Sequence, residues 1–174
     1  CLDVVYNHLG PDGNYLASYS PSYFAKSHSP WGQAFDWRQA HVRDLVVSSA
    51  LHWLESFRFD ALRLDAIHWI EDAADPPILA ELARAVATLS PRRLLIAEDE
   101  RNDPRCIVDW GLDAVWADDF HHQVRVTVTG ERDGYYAAYA PSVADIAKAI
   151  ERGWLYEGRW YAPHGRPRGR PATS

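Results

Sequence analysis

Residues 57–68 read FRFDALRLDAIH. Leu62 and Leu64 alternate with Arg63 and Asp65, the period of two expected of a strand that buries one face. The stretch follows a helical pattern and ends in Asp65 and His68. A structural strand gains little from an arginine and a carboxylate on one face near its end. A strand that opens onto a reactive cleft gains much.

Other short apolar runs end in the same manner. CLDVVYNH (1–8) and RRLLIAEDE (92–100) both close on polar residues. A fourth run, LDAVWADD (112–119), follows a short helical segment and closes on carboxylates. Between them, HVRDLVVSSALHWLESF (41–57) sets Val42, Leu45, Val46, Ser49, Ala50, Trp53 and Leu54 on one stripe of period 3.6. PPILAELARAVATLS (76–90) does the same with Ile78, Leu79, Leu82, Ala85, Val86 and Leu89, with prolines at its first turn and Ser-Pro at its end. SVADIAKAIERG (142–153) is a further helix closed by glycine. Strand and helix alternating in units of roughly 30 residues predict an α/β fold, a parallel sheet with helical crossovers. Because every strand ends in ionisable residues, a (β/α)8 barrel with its chemistry at the C-terminal strand ends fits best. A doubly wound sheet shares the alternation, but no Gly-rich phosphate loop follows any strand. Segment 9–40, rich in Tyr, Ser, Pro and Trp, is expected to be a substrate-facing loop over the barrel mouth.

The chain has 174 residues, 47% of them hydrophobic, enough for a real core. Its net charge of -6 argues against nucleic-acid and anionic-membrane partners, both of which need a basic surface. The locally basic tail HGRPRGRPATS (164–174) is expected to be a loop. Cys1 and Cys106 are too few for a disulfide framework, which fits a reducing, cytoplasmic setting. No apolar run approaches the ~20 residues of a membrane span, and no secretory leader pattern opens the chain. There is no methionine, and an apolar strand starts at residue 1; the expectation is a piece of a longer chain. Eight Trp and nine Tyr exceed the needs of such a core, and surplus aromatics stack on pyranose rings in sugar clefts, although ordinary packing accounts for many of them.

Taken together, the strand ends supply Asp3, Asn7 and His8, then Arg63, Asp65 and His68, then Glu98 and Asp99. Asp65 and Glu98, on neighbouring strand tops, can face a common point. Glycoside hydrolysis needs such a pair: one carboxylate attacks the anomeric carbon and one carboxylic acid protonates the leaving oxygen, ~5–5.5 Å apart in a retaining enzyme. Arg63, on the same strand face as Asp65, can hold that nucleophile ionised. Glu98 emerges from the apolar run LLIA, a setting that favours a general acid. The alternative is a scatter of surface carboxylates over loop ends.

DVVYNH (3–8), LRLDAIH (62–68) and LLIAEDE (94–100) resemble, in order and spacing, the first three motifs of glycoside hydrolase family 13, the α-amylase family. The resemblance implies a partial (β/α)8 TIM barrel, from about strand 3 onward and lacking the first and last strands, with residues 1–174 part of one catalytic barrel domain incomplete at both ends. It implies Asp65 as nucleophile and Glu98 as acid/base, two residues before Glu100. Arg63 would be the partner of Asp65, His8 a sugar contact, and Asp3 and Asn7 structural hydrogen-bonders behind the site. Many amylases carry lysine where His68 stands. WADDFHHQVRVTVTGERDGYYAAY (116–139) and SPWGQAFDW (29–37) resemble segments of the family's trehalose-releasing branch. His68, Asp118, Asp119 and His122 then become candidate substrate-binding residues, with capping and structural hydrogen bonding as the alternative for the last three. The implied reaction hydrolyses the α-1,4 bond next to terminal trehalose in malto-oligosyltrehalose. The implied partner is a malto-oligosaccharide or malto-oligosyltrehalose chain, with no cofactor and no metal, and oligomeric state is left open. Another α-glucan enzyme, debranching or branching, and an inactive carbohydrate-binding remnant are the alternatives. Three departures stand out. The 35–41 connection is shorter than the family pattern, Ala61 replaces the usual glycine, and the fourth motif with its third carboxylate does not follow residue 150. The 174 residues alone are therefore expected to be unstable, aggregation-prone and inactive.

Overall fold

The computed structural model describes residues 1–29 and 31–172, and the chain divides into two compact units. The first comprises residues 1–98 and 106–115, the second residues 99–105 and 116–174. Elements of the first unit are β1 (Leu2–Val4), β2 (His8–Leu9), α1 (Leu16–Tyr19), β3 (Phe24–Ser29), β4 (Gly32–Phe35), α2 (Ala40–Glu55), β5 (Ala61–Leu64), α3 (Ile78–Ala87) and β6 (Leu94–Glu98). The short α4 (Arg105–Val108) and β7 (Ala114–Trp116) begin and end at the unit boundary.

A four-stranded sheet in the order β1-β5-β6-β7 carries this unit. β5 runs parallel to both neighbours, with Asp3 opposite Arg63 and Leu64 opposite Ala97. Helical crossovers make that geometry possible. α2 buries Val42, Val46, Ala50 and Leu54, and α3 buries Ile78, Leu79, Leu82 and Val86, against Leu62, Leu64, Leu95 and Ala97 of the strands. Each such aliphatic side chain contributes ~1.5–3 kcal/mol on leaving water. The predicted stripe of α2 is narrower than its periodicity implied: Leu45 is exposed, and Ser49 is a hydrogen-bond partner of the Tyr6 hydroxyl at 3.1 Å. Ala61, in place of glycine, is buried at the start of β5.

Arg43 ties α2 to the segment before α3. Its Nη1 donates to Asp72 Oδ2 at 2.6 Å, its Nε to Glu81 Oε2 at 2.8 Å and its Nη2 to the Pro76 carbonyl at 2.9 Å. Asp72 Oδ2 also accepts from Ile78 N at 2.6 Å, satisfying one donor at the start of α3. The Asp72 side chain is only 4% exposed, so this carboxylate depends on its partners.

Segment 9–40 departs from the expected loop. It contains an antiparallel sheet in the order β2-β4-β3, and His8 pairs opposite Ala34. Phe24 and Phe35 are buried and stack at 5.9 Å, and Phe35 meets buried Trp37 edge-on at 5.6 Å. This aromatic cluster holds a hairpin whose strands lack the alternation that would announce them. Pro30 lies outside the described residues.

The second unit contains α5 (Asp118–Thr129), α6 (Val143–Arg152), β8 (Arg159–Tyr161) and β9 (Arg166–Arg168) around Val126, Tyr139, Ala149, Leu155, Tyr156 and Tyr161. Ser142 caps α6 by accepting from Asp145 N at 3.1 Å, and Gly153, with φ 91°, ends it. The basic tail is likewise not all loop: its residues Arg166–Arg168 form β9, paired antiparallel with β8, and Thr173 and Ser174 lie outside the described residues. Arg168 explains the difference. It is 4% exposed, with its guanidinium 4.8 Å from the Tyr161 ring centroid and 5.6 Å from that of Tyr156. Its Nε donates to the Glu100 carbonyl at 2.6 Å and its Nη1 to the Tyr139 hydroxyl at 3.1 Å. Gly169 follows at φ 83°, where a Cβ would stand 1.9 Å from the Tyr156 carbonyl oxygen; only glycine lets the backbones approach. Among the described residues, no helix is long and apolar enough to cross a membrane.

Candidate active site

The site is built where β1, β5 and β6 end. Register places Leu64 opposite Ala97, and one residue further along both strands Asp65 and Glu98 stand level. Leu62 and Leu64 face the helices, so Arg63 and Asp65 take the opposite face.

Arg63 is the hub. Its Nη1 donates to Asp65 Oδ1 at 2.7 Å and to Asp3 Oδ1 and Oδ2 at 2.9 and 3.0 Å, while Nη2 lies 3.9 Å from Glu98 Oε2. Partial burial works to lower the Arg63 pKa, but hydrogen bonds and charge from Asp3 and Asp65 outweigh it, and the net effect is a rise. The guanidinium therefore stays cationic beside the Asp65 carboxylate. Side-chain exposure falls from 62% at Asp3 to 32% at Asp65 and 13% at Glu98, so the two candidate catalytic carboxylates sit in unequal surroundings.

The backbone around Asp65 is fixed from β1. Asp65 N donates to the Val4 carbonyl at 3.0 Å, and the Asp65 carbonyl accepts from Asn7 Nδ2 at 2.8 Å. Asn7 is completely buried, and its Oδ1 bonds to His8 Nδ1. His8 thus has its ring oriented from behind. Beyond it, exposed Trp31 lies 6.2 Å from the His8 ring and meets Trp69 edge-on at 5.7 Å, and Trp69 lies 5.8 Å from the His68 ring. His8, Trp31, Trp69 and His68 form a chain of rings.

Asp3, Asn7, His8, Arg63, Asp65, His68 and Glu98 all belong to the first unit. Asp118, Asp119 and His122 belong to the second and are described there. Asp118 is half-buried in the first turn of α5, where the helix dipole favours a carboxylate. Asp119 is completely buried: its Oδ2 accepts from Asn102 Nδ2 at 2.7 Å, Leu155 N at 2.8 Å and Tyr156 N at 2.9 Å. That arrangement corresponds to the structural alternative for Asp119, a clamp with no face open to a sugar. Asp99 and Glu100 are engaged elsewhere. Asp99 is buried against Arg101 at 2.6 Å, and Glu100 lies 3.7 Å from His164.

His122 is 8% exposed, stacks on Tyr135 at 4.5 Å and lies 3.3 Å from the Tyr139 hydroxyl. Burial, then the charges of His121 and Arg168, push its pKa down to about 4. A ring kept neutral in the native state gains a proton only on unfolding near pH 6.5. Its contribution is therefore complete above pH 6.5 and lost as pH falls toward 4, by up to about 3 kcal/mol. In the full-length enzyme, His122→Phe should flatten stability between pH 7 and 4.5, as followed by urea unfolding. NMR titration of the wild-type ring should give a midpoint well below 6.

Ala66 is the residue that sequence inspection missed. Its N–H donates to Glu98 Oε2 at 2.6 Å, linking the chain just after Asp65 to the second carboxylate. Nothing in the sequence marks it, because alanine carries no turn signal. Arg43 with Asp72 and the aromatic seat of Arg168 were equally unmarked, since each depends on residues far apart in sequence. Among the described residues, no group of three or more His, Cys, Asp or Glu side chains is placed to hold a metal ion.

No model of a known protein family matches the chain. A malto-oligosyltrehalose trehalohydrolase from Deinococcus radiodurans is 48% identical over 176 residues, covering 99% of this chain and 29% of the relative. One from Saccharolobus solfataricus is 38% identical over 167 residues, covering 91% of this chain and 29% of the relative. A crystal structure from Salmonella typhimurium, assigned as an alpha amylase, matches with a TM-score of 0.89 at 35% identity, covering 99% of this chain and 31% of that one. The chain thus spans under a third of the length of the curated relatives it matches. Its parallel sheet, with helices between strands, is part of an α-amylase-type (β/α)8 barrel. On this sequence and fold, the chain belongs to the α-amylase family, and the relatives it resembles over nearly its whole length are malto-oligosyltrehalose trehalohydrolases.

Proposed function

We propose that residues 1–174 form part of one α-amylase-type catalytic barrel domain in a retaining glycoside hydrolase. The enzyme cleaves the α-1,4-glucosidic bond next to terminal trehalose in malto-oligosyltrehalose and releases trehalose. The observation that carries this reading is the pair Asp65 and Glu98, level on adjacent parallel strands around the Arg63 guanidinium. Asp65, hydrogen-bonded to Arg63, attacks C1 of the glucosyl residue. Glu98, the more enclosed carboxyl, protonates the departing trehalose oxygen. Water deprotonated by Glu98 then hydrolyses the glucosyl-enzyme, which is the double displacement of a retaining glycosidase. Two carboxylates and a water suffice, so no cofactor enters.

Supporting roles follow from the geometry. Asn7 fastens the backbone of Asp65, and Asp3 shares Arg63 with it. His8 is placed to bond sugar hydroxyls, with the exposed face of Trp31 beside it as a stacking platform. His68 contributes to the same wall, and Asp118 and His122 are further candidate contacts. The reaction belongs to trehalose biosynthesis in the cytoplasm. The names of the relatives favour trehalose release over debranching or branching. Product analysis of the full-length enzyme decides between them: free trehalose from malto-oligosyltrehalose, with glycogen left intact, supports the assignment. Glycogen debranching without trehalose release contradicts it.

A further inference from the structure

Ala66 occupies the left-handed region, φ 45° and ψ 51°, a conformation disfavoured for any residue with a Cβ. Such a conformation persists only where its surroundings over-determine it, and it is often found at functional sites. Here the surroundings are visible. Both backbone groups of Asp65 are tied to the β1 side, through the Val4 carbonyl at 3.0 Å and Asn7 Nδ2 at 2.8 Å. The Ala66 carbonyl then accepts from Trp69 N at 3.0 Å in the short 3-10 turn Ile67–Trp69. Between these anchors the chain must reverse, and the reversal aims Ala66 N–H at Glu98 Oε2, 2.6 Å away.

Resting on the assignment of Glu98 as acid/base, we propose that Ala66 is a positioning residue whose backbone N–H holds Glu98 through Oε2, so that the catalytic proton travels on Oε1. An amide N–H can only donate, so Oε2 must accept. Arg63 Nη2, 3.9 Å from the same oxygen, is also a donor only. In a neutral carboxyl group the carbonyl-type oxygen is the better acceptor. Oε2 therefore takes that role and the hydroxyl is on Oε1. In the first step the Oε1–H bond breaks and its proton joins the glycosidic oxygen. That oxygen leaves with the electron pair of the C1–O bond as Asp65 bonds to C1. In the second step Oε1 takes a proton from water as the water oxygen bonds to C1 and Asp65 departs as carboxylate. One oxygen serves both steps, and the carboxyl group need not rotate between them.

The test replaces the Ala66 amide by an ester, L-lactate at position 66 of the full-length enzyme, exchanging N–H for oxygen while the methyl group stays. Losing a donor to the ionised carboxylate should move the basic limb of the kcat/KM profile up by about one pH unit. Ala66→Gly keeps the N–H and relieves the backbone, so its basic limb should not move. An unmoved limb in a folded ester variant overturns the proposal. Should the ester fail to fold, a neutron structure of the unmodified enzyme at acidic pH gives the answer: a deuteron on Oε1 supports the proposal, and one on Oε2 overturns it. Glu98→Gln separates the two levels of the reading. Intact turnover of malto-oligosyltrehalose in that variant removes the assignment of Glu98 itself, and this inference with it. Lost turnover with an unmoved ester profile removes only the inference.

Discussion

Asp65→Asn in the full-length enzyme should lower turnover of malto-oligosyltrehalose by about 10⁴-fold or more, with little change in folding. Asparagine matches aspartate in size and keeps an oxygen toward Arg63 Nη1, now 2.7 Å from Asp65 Oδ1. The backbone anchors at Val4 and Asn7 do not involve the side chain, so the turn is preserved. What disappears is the carboxylate that the proposed mechanism uses as nucleophile, and an amide is a poor substitute for it. The check is kcat by release of free trehalose, together with a melting temperature within a few degrees of wild type. A variant that keeps a tenth of its activity would remove Asp65 from the mechanism.

Arg43→Met should destabilise the first unit by about 3–5 kcal/mol, the cost of leaving a buried carboxylate without its partner. Asp72 is only 4% exposed and would keep two backbone donors, Ile78 N at 2.6 Å and Ala74 N at 2.9 Å, but no cation. Methionine fills much of the arginine's volume, so the loss reads out the charge rather than a cavity. Adding Asp72→Asn should recover part of the loss, because no ionised group then remains buried. Urea unfolding of the single and double variants measures both. Equal losses that simply add would show that the two residues act independently.

The parallel sheet was legible because its signals are local. Leu62, Arg63, Leu64 and Asp65 alternate within a few residues, and the stripes of α2 and α3 repeat every turn. The pairing of Asp65 with Glu98 followed from strand ends that the crossover rule makes neighbours. The β2-β4-β3 sheet was not legible, since it is held by Phe24 against Phe35 and Trp37 rather than by alternation. Nor was the tail hairpin, whose arginine is buried by tyrosines at positions 139, 156 and 161. A charge run reads as exposed until the rings that cover it are placed. Asp119 shows the same limit within a motif. An acidic pair beside two histidines resembles a sugar site, yet Oδ2 of Asp119 is taken by donors up to 37 residues away. Ala66 is the extreme case, since its contribution is a backbone N–H and a dihedral angle, neither of which a residue type displays.

Direct capture of the covalent intermediate tests the central claim, that Asp65 attacks the anomeric carbon. The full-length Glu98→Gln variant, slow to release the glycosyl group, would be treated with a 5-fluoro-glycosyl fluoride, whose fluoride leaves without protonation. Peptide mass spectrometry of a tryptic digest should then find the added sugar on the peptide of residues 64–84, with fragmentation assigning it to Asp65. A label on another carboxylate, or none after turnover of the reagent, would contradict the account.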